Sequence, residues 1–354
     1  MKTLRSAILI IGIVIIIVGC TVAMSGSGRP KAKKPFALEY FAIFTATLDG
    51  KNIKEIVRDP TREINHARVS DDHKWITFMR FNKKGRVGAA LGAAVEGDGY
   101  EDTEIMLCRI DGSELQAIVP AKKGVINGNS YWTPDNKGLL YVSTDTPNGA
   151  PGLFIIDLKT KKKRQLPVPR GYFPTDPHMV GDLVVFPART KKFRTRSIYT
   201  MTVDGKNLKR ITSPPRGSEG ENDPKLSLDK SKVAIFRNIK KDEWHLVVVD
   251  LKTGAEKDLS PPNVIEGVAE WSPDGKLLVF WHFNPEKLKK SKTLTQLYTI
   301  RPDGSERRKI DLPPEFWYTH VAFFPGTSST NDAKIIFSAR KFPSSFFRKQ
   351  GFPQ

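Results

Sequence analysis

The chain has 354 residues, of which 39% are hydrophobic and 27% are charged, a balance that excludes a disordered polypeptide and is typical of a soluble folded protein. Its 57 Lys and Arg residues outnumber its 38 Asp and Glu residues, and the formal net charge of +19 favours an anionic partner. The alternative is a solvated basic surface that only aids solubility.

Residues 1–19 have the pattern of a secretory signal peptide. Two basic residues precede an unbroken apolar run over 7–18, and a glycine stands directly before Cys20. The segment 17–20 resembles a bacterial lipobox. This resemblance implies cleavage before Cys20, lipid attachment at Cys20 and a protein anchored to a membrane of the bacterial cell envelope. The alternatives are an uncleaved signal anchor, because apolar character continues to Met24, and a cysteine without a role.

The predicted mature chain has three parts. Residues 20–37 are rich in Gly, Ser, Pro and Lys and predict a flexible tether, residues 38–340 carry a repeated pattern, and residues 341–354 predict a short exposed tail. Apart from Cys20 the only cysteine is Cys108, so we expect no disulfide within the folded domain and a small buried side chain at Cys108. An exported protein is not expected to bind nucleic acid.

One sequence motif, which we call the turn phrase, recurs six times between about residues 39 and 340. Its clearest copy is 271–275 (Trp-Ser-Pro-Asp-Gly), followed by an apolar strand; a second apolar strand ends in Asp-Gly about two dozen residues later. Two positions of the motif recur with nearly the same spacing. The Asp of the Asp-Gly-like turn stands at Asp49, Asp111, Asp157, Asp204, Asp250 and Asp303. The marker at the end of strand A stands at Ser70, Thr133, Val180, Ser227, Ser272 and Phe324. A period of about 40–50 residues made of short strands predicts one propeller blade per repeat. The predicted fold is therefore an all-β, six-bladed β-propeller.

Each repeat is predicted to contain four antiparallel strands, A to D, with tight turns after strands A and C. The chain opens with strands C and D, over residues 40–57, and closes with strands A and B, over residues 318–338. The two ends are therefore predicted to complete one blade together, which closes the ring without a covalent crosslink. We expect a monomer.

The succession of Ser-Pro-Asp-Gly, an apolar strand and Asp-Gly resembles the repeat of TolB-type propellers. The resemblance covers about 300 of the 354 residues and is strongest at 271–280. It implies a TolB-type β-propeller. The lipobox implies a location in the bacterial envelope, facing the periplasm or the cell exterior, and the rigid blades of a propeller suit a binding role.

A ring of polar side chains is predicted where the six A strands surround the channel. Four residues before each strand-A marker stand His66, Asn129, Asp176, Asp223, Val268 and His320. Imidazole and carboxylate groups bind zinc and manganese, so His66, Asp176, Asp223 and His320 form a candidate site for a divalent metal. Oligogalacturonate lyases resemble this arrangement in holding a metal among channel histidines. The alternative is that these polar groups bind water and one another.

The loops between strands B and C are predicted to lie on one face of the ring, together with the D–A connections. An insertion over 85–104 on this face is partly acidic, whereas the later loops are basic. The basic residues are Arg189, Lys191, Lys192, Arg194, Arg196, Lys240, Lys241, Lys287, Lys289, Lys290 and Lys292. Together they predict a positive rim for an anionic partner.

The favoured prediction is a lipid-anchored, non-enzymatic propeller that binds an envelope protein or an anionic polysaccharide. The alternative is a metal-dependent, oligogalacturonate-type lyase, in which the ring holds the metal and nearby basic residues neutralise uronate carboxylates. His66 or His320 would be the base of such a lyase, but no spacing in the sequence singles out either as catalytic.

Overall fold

The computed structural model describes residues 40–81, 102–284, 295–313, 316–327 and 329–341. The regular structure of these residues is entirely β. In chain order the strands are β1 (Tyr40–Thr47), β2 (Lys54–Asp59), β3 (Ile64–Val69), β4 (Trp75–Arg80), β5 (Glu104–Arg109), β6 (Gln116–Val119), β7 (Asn127–Trp132), β8 (Gly138–Ser143), β9 (Gly152–Asp157), β10 (Lys163–Gln165), β11 (Tyr172–Pro174), β12 (His178–Val180), β13 (Leu183–Thr190), β14 (Ser197–Thr202), β15 (Lys209–Arg210), β16 (Glu221–Leu226), β17 (Lys232–Lys240), β18 (Glu243–Asp250), β19 (Glu256–Asp258), β20 (Ile265–Trp271), β21 (Leu278–Phe283), β22 (Gln296–Ile300), β23 (Arg308–Lys309), β24 (Phe316–Phe323) and β25 (Lys334–Lys341).

Within the described ranges these strands pair into five sheets, which we divide into six antiparallel units numbered by the position of the innermost strand in the chain, because only one parallel pair, Trp244 opposite Ile265, joins units 4 and 5 into an eight-stranded sheet. Unit 1 is β3–β6, unit 2 is β7–β10, unit 3 is β11–β15, unit 4 is β16–β19, unit 5 is β20–β23, and unit 6 joins β24 and β25 to β1 and β2. Unit 3 has five short strands because β11 and β12 are two pieces of one inner strand that both pair with β13. Each unit packs against the next, and unit 6 packs against unit 1. The result is the β-propeller that the repeat predicts.

The two ends of the described chain close the ring, as the order of strands predicts. Strand β1 pairs antiparallel with β25 along its whole length, from Tyr40 opposite Lys341 to Thr47 opposite Lys334. The ring of Phe44 packs against those of Phe316 and Phe337, with centroid distances of 4.9 and 5.5 Å. Backbone pairing and aromatic packing thus hold the closure together, with no disulfide among the described residues.

The turn phrase has a local physical cause. In the sharpest copy the Ser272 hydroxyl donates to Asp274 Oδ1 at 2.7 Å and accepts from the backbone N–H of Leu277 at 2.9 Å. The same hydroxyl-to-carboxylate bond recurs at 2.6 Å between Ser70 and Asp72. Ser or Thr followed two residues later by Asp therefore fixes the turn between the first two strands of a unit, which explains why the phrase recurs.

The hydrophobic core lies between neighbouring units, because each sheet is apolar on both faces. The largest cluster joins units 4, 5 and 6 through side chains such as Phe236, Trp281 and Phe337. Cys108 is fully buried in the cluster between units 6 and 1, and burial together with Asp111 raises the pKa of its thiol to about 12. The thiol therefore acts as a buried apolar group, as the sequence predicts.

Candidate functional site

The six predicted ring positions coincide with an irregularity in the innermost strands. The backbone is left-handed at His66, Asn129, Asp176, Asp223 and Val268, with φ between 38° and 56°. The pairing register of β3, β7, β16 and β20 is interrupted at these residues, and the inner strand of unit 3 is divided there. A bulge bends a strand and changes the direction of its side chains, so these bulges determine the direction of the side chains in the ring. Asn and Asp tolerate the conformation, whereas a β-branched valine is strained in it.

The two histidines of the ring meet where the ring closes. Their imidazoles pack with a centroid distance of 3.5 Å, and His66 Nδ1 is hydrogen-bonded to Asn65 Oδ1 at 2.8 Å. Burial lowers the pKa of both rings well below 6.5; His320, Arg68 and Lys225 add to the shift at His66, and Arg68 and Lys225 add to it at His320. Both imidazoles are therefore neutral at pH 7.

The two aspartates form a second pair in the ring, in units 3 and 4. Asn129 donates a hydrogen bond from Nδ2 to Asp176 Oδ1. Burial and the charge of Asp223 raise the pKa of Asp176 to about 7, although Lys225 and Arg196 act in the opposite direction. Burial also raises the pKa of Asp223. Because the charge of Asp223 acts on Asp176 in a buried site, the two carboxylates resist ionising together, and the pair retains a proton near neutral pH.

A second tier of polar residues lies two positions after the ring in the inner strands of units 1 to 5. Its members are Arg68, Tyr131, His178, Lys225 and Glu270, all buried or nearly so. Arg68 Nη2 donates to the Tyr131 hydroxyl at 2.6 Å and lies 3.3 Å from Glu270 Oε2. The Lys225 ammonium lies 5.0 Å from the centre of the Tyr131 ring. Side chains of units 1, 2, 4 and 5 therefore meet in these contacts, and the second tier links the four units.

The ring contains the four residues that the sequence predicts as metal ligands. The structure brings His66 to His320 and Asp176 to Asp223, so the four predicted ligands occur as two pairs. Over the described ranges no group of three or more His, Cys, Asp or Glu side chains is arranged to hold a metal ion. The ring as a divalent-metal site stays a prediction.

The basic rim is only partly as the sequence predicts. Lys191, Lys192 and Arg194 are exposed at the tip of the hairpin that joins β13 to β14. Arg196 is buried, with 6% of its surface exposed, so its predicted place on an exposed rim is wrong. Burial lowers the pKa of its guanidinium, while Asp176, Glu219 and Asp223 are close enough to counteract that shift. Arg189 is half-buried beside it.

Some predicted residues lie outside the described part of the chain. They are Cys20, Lys287, Lys289, Lys290, Lys292 and most of the 85–104 insertion. Glu104 is described and is the first residue of β5, where it accepts hydrogen bonds from Arg62 and Arg80 at 3.0 and 2.9 Å. Glu104 therefore belongs to the sheet of unit 1. No helix of the described residues is long and apolar enough to cross a bilayer.

Solved structures similar to this chain share its propeller. A structure of TolB from Acinetobacter baumannii has a TM-score of 0.55 and 16% identity, and covers 84% of this chain. A protein assigned as TolB from Agrobacterium tumefaciens has a TM-score of 0.62 and 12% identity, and covers 86% of this chain and 99% of its own. The chain has a TolB-like β-propeller fold. It spans 63% of the length of the Acinetobacter protein.

The remaining comparisons add no activity. An oligogalacturonate lyase from Vibrio parahaemolyticus aligns over 83% of this chain and 81% of its own, with 14% identity and a TM-score of only 0.47. By sequence alone, no family model and no characterised protein matches the chain. At identities of 10 to 16% the likeness to solved structures establishes the fold alone.

Proposed function

We propose that the protein is a non-enzymatic binding scaffold of the bacterial envelope, anchored through lipid at Cys20, which binds a protein or an anionic polymer on one face of its propeller. The fold supports a scaffold, because a rigid ring of sheets presents its loops on two broad faces. The predicted signal peptide and lipobox support the location. The observation that carries the binding role is an unequal distribution of charge between the two faces.

The basic face, as we call it, is formed by the B–C and D–A loops of units 2 to 4. Its exposed cations are Lys122, Lys123, Arg170, Lys191, Lys192, Arg194, Arg216, Lys240 and Lys241. The exposed carboxylates of the same loops are Asp145 and Glu219, and Asp145 already pairs with Lys122 at 2.5 Å. So many cations with so few anions produce a positive potential that attracts anionic groups over a Debye length of about 8–10 Å.

The turns on the opposite face have a different charge balance. Exposed aspartates such as Asp72, Asp135, Asp204 and Asp229 alternate there with lysines. Each of these four carboxylates accepts a hydrogen bond from the Ser or Thr two residues before it, which lowers its pKa and keeps it ionised. The opposite face is therefore mixed in charge, and an anionic partner is expected to prefer the basic face.

A charge-reversal experiment with a matched control tests this proposal. One variant changes Lys191, Lys192 and Arg194 to Glu, and the control changes Lys159, Lys161 and Lys162, which are exposed on the opposite face, to Glu. Both variants have the same net charge. Binding of the full chain in detergent to immobilised polyglutamate and polygalacturonate is measured at several salt concentrations.

We expect the first variant to bind at least about 10-fold more weakly and to lose part of the salt dependence, because exposed charges are screened by salt. The control variant should bind as the wild type does. If both variants weaken binding equally, the attraction depends on net charge alone and the proposed binding face is wrong.

A further inference from the structure

A cavity of about 320 Å³ lies between units 1 and 2, on the face opposite the basic face. Its inner part is apolar and buried or half-buried, and its outer part is polar and exposed. We call it the inter-unit cavity; its lining residues are Ser70, Asp72, Trp75, Leu107 and Gln116 of unit 1, and Asn136, Leu158, Lys159 and Lys161 of unit 2. Small-ligand pockets in proteins have volumes of about 300–1,000 Å³, so this cavity has room for one small ring.

The cavity has a cause in the packing of neighbouring turns. In unit 1 the turn glycine Gly112 approaches unit 6 so closely that an added Cβ would lie 2.3 Å from the Ile56 carbonyl oxygen. In unit 3 a Cβ added to Gly205 would lie 2.5 Å from the Pro167 ring of unit 2. The equivalent turn of unit 2, residues 157–162, contains no glycine and is one residue longer. The cavity lies where this longer turn faces unit 1.

The side chains around the cavity are held in place before a ligand binds. The Arg109 guanidinium lies 3.9 Å from the centre of the Trp75 ring, and the Trp75 backbone N–H donates to Ser70 Oγ at 3.0 Å. The Asp71 N–H donates to Asn136 Oδ1 at 2.9 Å, which links the two units beside the cavity. A site formed before the ligand arrives loses little entropy on binding.

Several polar groups of the lining residues have unused hydrogen-bonding capacity. Within the part of the chain that the structure describes, the Gln116 side-chain amide and the Trp75 indole N–H have no hydrogen-bond partner. Asp72 Oδ2 lies 3.7 Å from Lys74 Nζ, which is beyond hydrogen-bond distance, so this oxygen can still accept. The lining residues therefore offer an amide that donates and accepts, an N–H donor and a carboxylate acceptor.

The charge around the cavity is mixed. Lys159 and Lys161 are exposed on the side of unit 2, and Asp71 and Asp72 are exposed on the side of unit 1. A polyanion would meet repulsion as well as attraction here, so we expect it to prefer the basic face. The charge balance of the cavity favours a neutral ligand.

We propose that the inter-unit cavity binds a single neutral sugar residue, with C–H groups of the sugar ring against the apolar inner part and hydroxyls bonded to Asp72 and Gln116. Each sugar hydroxyl both donates and accepts, which suits a wall that offers both kinds of group. An apolar side chain of a partner protein would cover the same inner part but would give these polar groups no partner. This proposal concerns another face and another ligand than the proposed function and does not depend on it.

Fluorescence titration with neutral sugars tests the proposal. The full chain, in a detergent without a sugar headgroup, is titrated with glucose, galactose, mannose and N-acetylglucosamine while tryptophan emission is measured. We expect a saturable change in emission with at least one of these sugars. Trp75→Phe should remove the change, whereas Trp317→Phe, which alters a half-buried tryptophan of unit 6, should keep it. Each sugar is also titrated as its methyl glycoside: equal binding identifies a residue of a glycan, and loss of binding identifies a free sugar.

A second variant measures the polar contact. Gln116 is the first residue of β6, and Lys54 is the first residue of β2, the equivalent strand of unit 6. Both side chains are exposed, so Lys54→Ala is the matched control for Gln116→Ala. We expect Gln116→Ala to weaken sugar binding about 5-fold, because one hydrogen bond is lost, and the control to leave it unchanged.

Several results would overturn the proposal. They are the absence of a saturable signal with every neutral sugar, equal effects of Gln116→Ala and Lys54→Ala, tighter binding of N-acetylleucinamide than of any sugar, and tighter binding of galacturonate than of galactose. Charge reversal at Lys191, Lys192 and Arg194 should leave sugar binding unchanged. If that variant weakens sugar binding, the sugar binds on the basic face, so the cavity proposal is wrong while the proposed function stands.

Discussion

Asp176 allows a quantitative test of the electrostatics of the channel. Its pKa is raised from 3.8 to about 7 in the folded protein, first by burial and then by the charge of Asp223. In the unfolded chain it returns to about 3.9. Because the folded pKa is the higher one, the folded protein keeps a proton that the unfolded chain has released, so this group lowers stability progressively as the pH rises between the two values. Between about pH 5 and pH 7 the loss is about 2 kcal/mol, because the slope of about 1.4 kcal/mol per pH unit decreases as the pH approaches the folded pKa.

Asp176→Asn removes the titration and keeps an amide oxygen that can accept the hydrogen bond from Asn129. We expect the free energy of unfolding of the variant, relative to the wild type, to increase by about 3 kcal/mol from pH 5 to pH 8. Urea unfolding at several pH values measures it. The difference between the two proteins is the useful quantity, since the lowered pKa values of His66, His178 and His320 make the stability of both proteins rise with pH up to about 6.5.

An exposed aspartate provides the control. Hydrogen bonds from Thr202 and Lys206 lower the pKa of Asp204 to about 2, so Asp204 is ionised in both states throughout this pH range. Asp204→Asn should therefore change stability by the same amount at pH 5 and at pH 8. If Asp176→Asn also gives a constant difference, Asp176 is already ionised at pH 5 and the description of a proton-sharing pair is incorrect.

Three further predictions concern the anchor, the ring closure and the ring residues. Cys20→Ala should abolish incorporation of a fatty-acid probe, and a wild-type protein that retains residues 1–19 and takes up no probe would support the signal-anchor alternative. Deletion of residues 316–354 removes β24 and β25 and exposes two sheet edges, so it should cause aggregation or much easier thermal unfolding than deletion of 344–354; equal thermal stability would contradict the closure. The double change of His66 and His320 to Ala should release any zinc or manganese found in the purified protein by elemental analysis and leave the fold intact, and a variant that keeps its metal would refute the predicted ligands.

The repeat made most of the fold predictable from the sequence. Ser272 and Asp274 belong to a turn whose hydrogen bonds are local, so the same residue types recur at four of the six copies of the turn. The ring positions were predicted four residues before the strand-A marker of each repeat. The structure places His66 against His320, as this constant spacing predicts. Local chemistry and a constant period were sufficient for these features.

Features that depend on contacts between units were not predictable in this way. Arg68 and Glu270 are 202 positions apart in sequence and meet only because the ring closes. Nothing in the sequence therefore indicates that the two side chains contact each other. Arg196 looked exposed because it ends a run of basic residues, yet it is buried, bridged to Gly220 of the neighbouring unit and close enough to Asp176 and Asp223 to interact with their charges. A search two positions after each ring residue would have found the second tier.

The pairing of β1 with β25 has a consequence for how the protein is made. Tyr40 and Lys341 are about 300 residues apart, and contacts of such long range form slowly because a long loop must close first. During synthesis the edge of β1 that faces the channel has no partner strand until β25 has been made. We therefore expect the unpaired edge of the nascent chain to require protection by a chaperone, and the final folding step to be the arrival of β25.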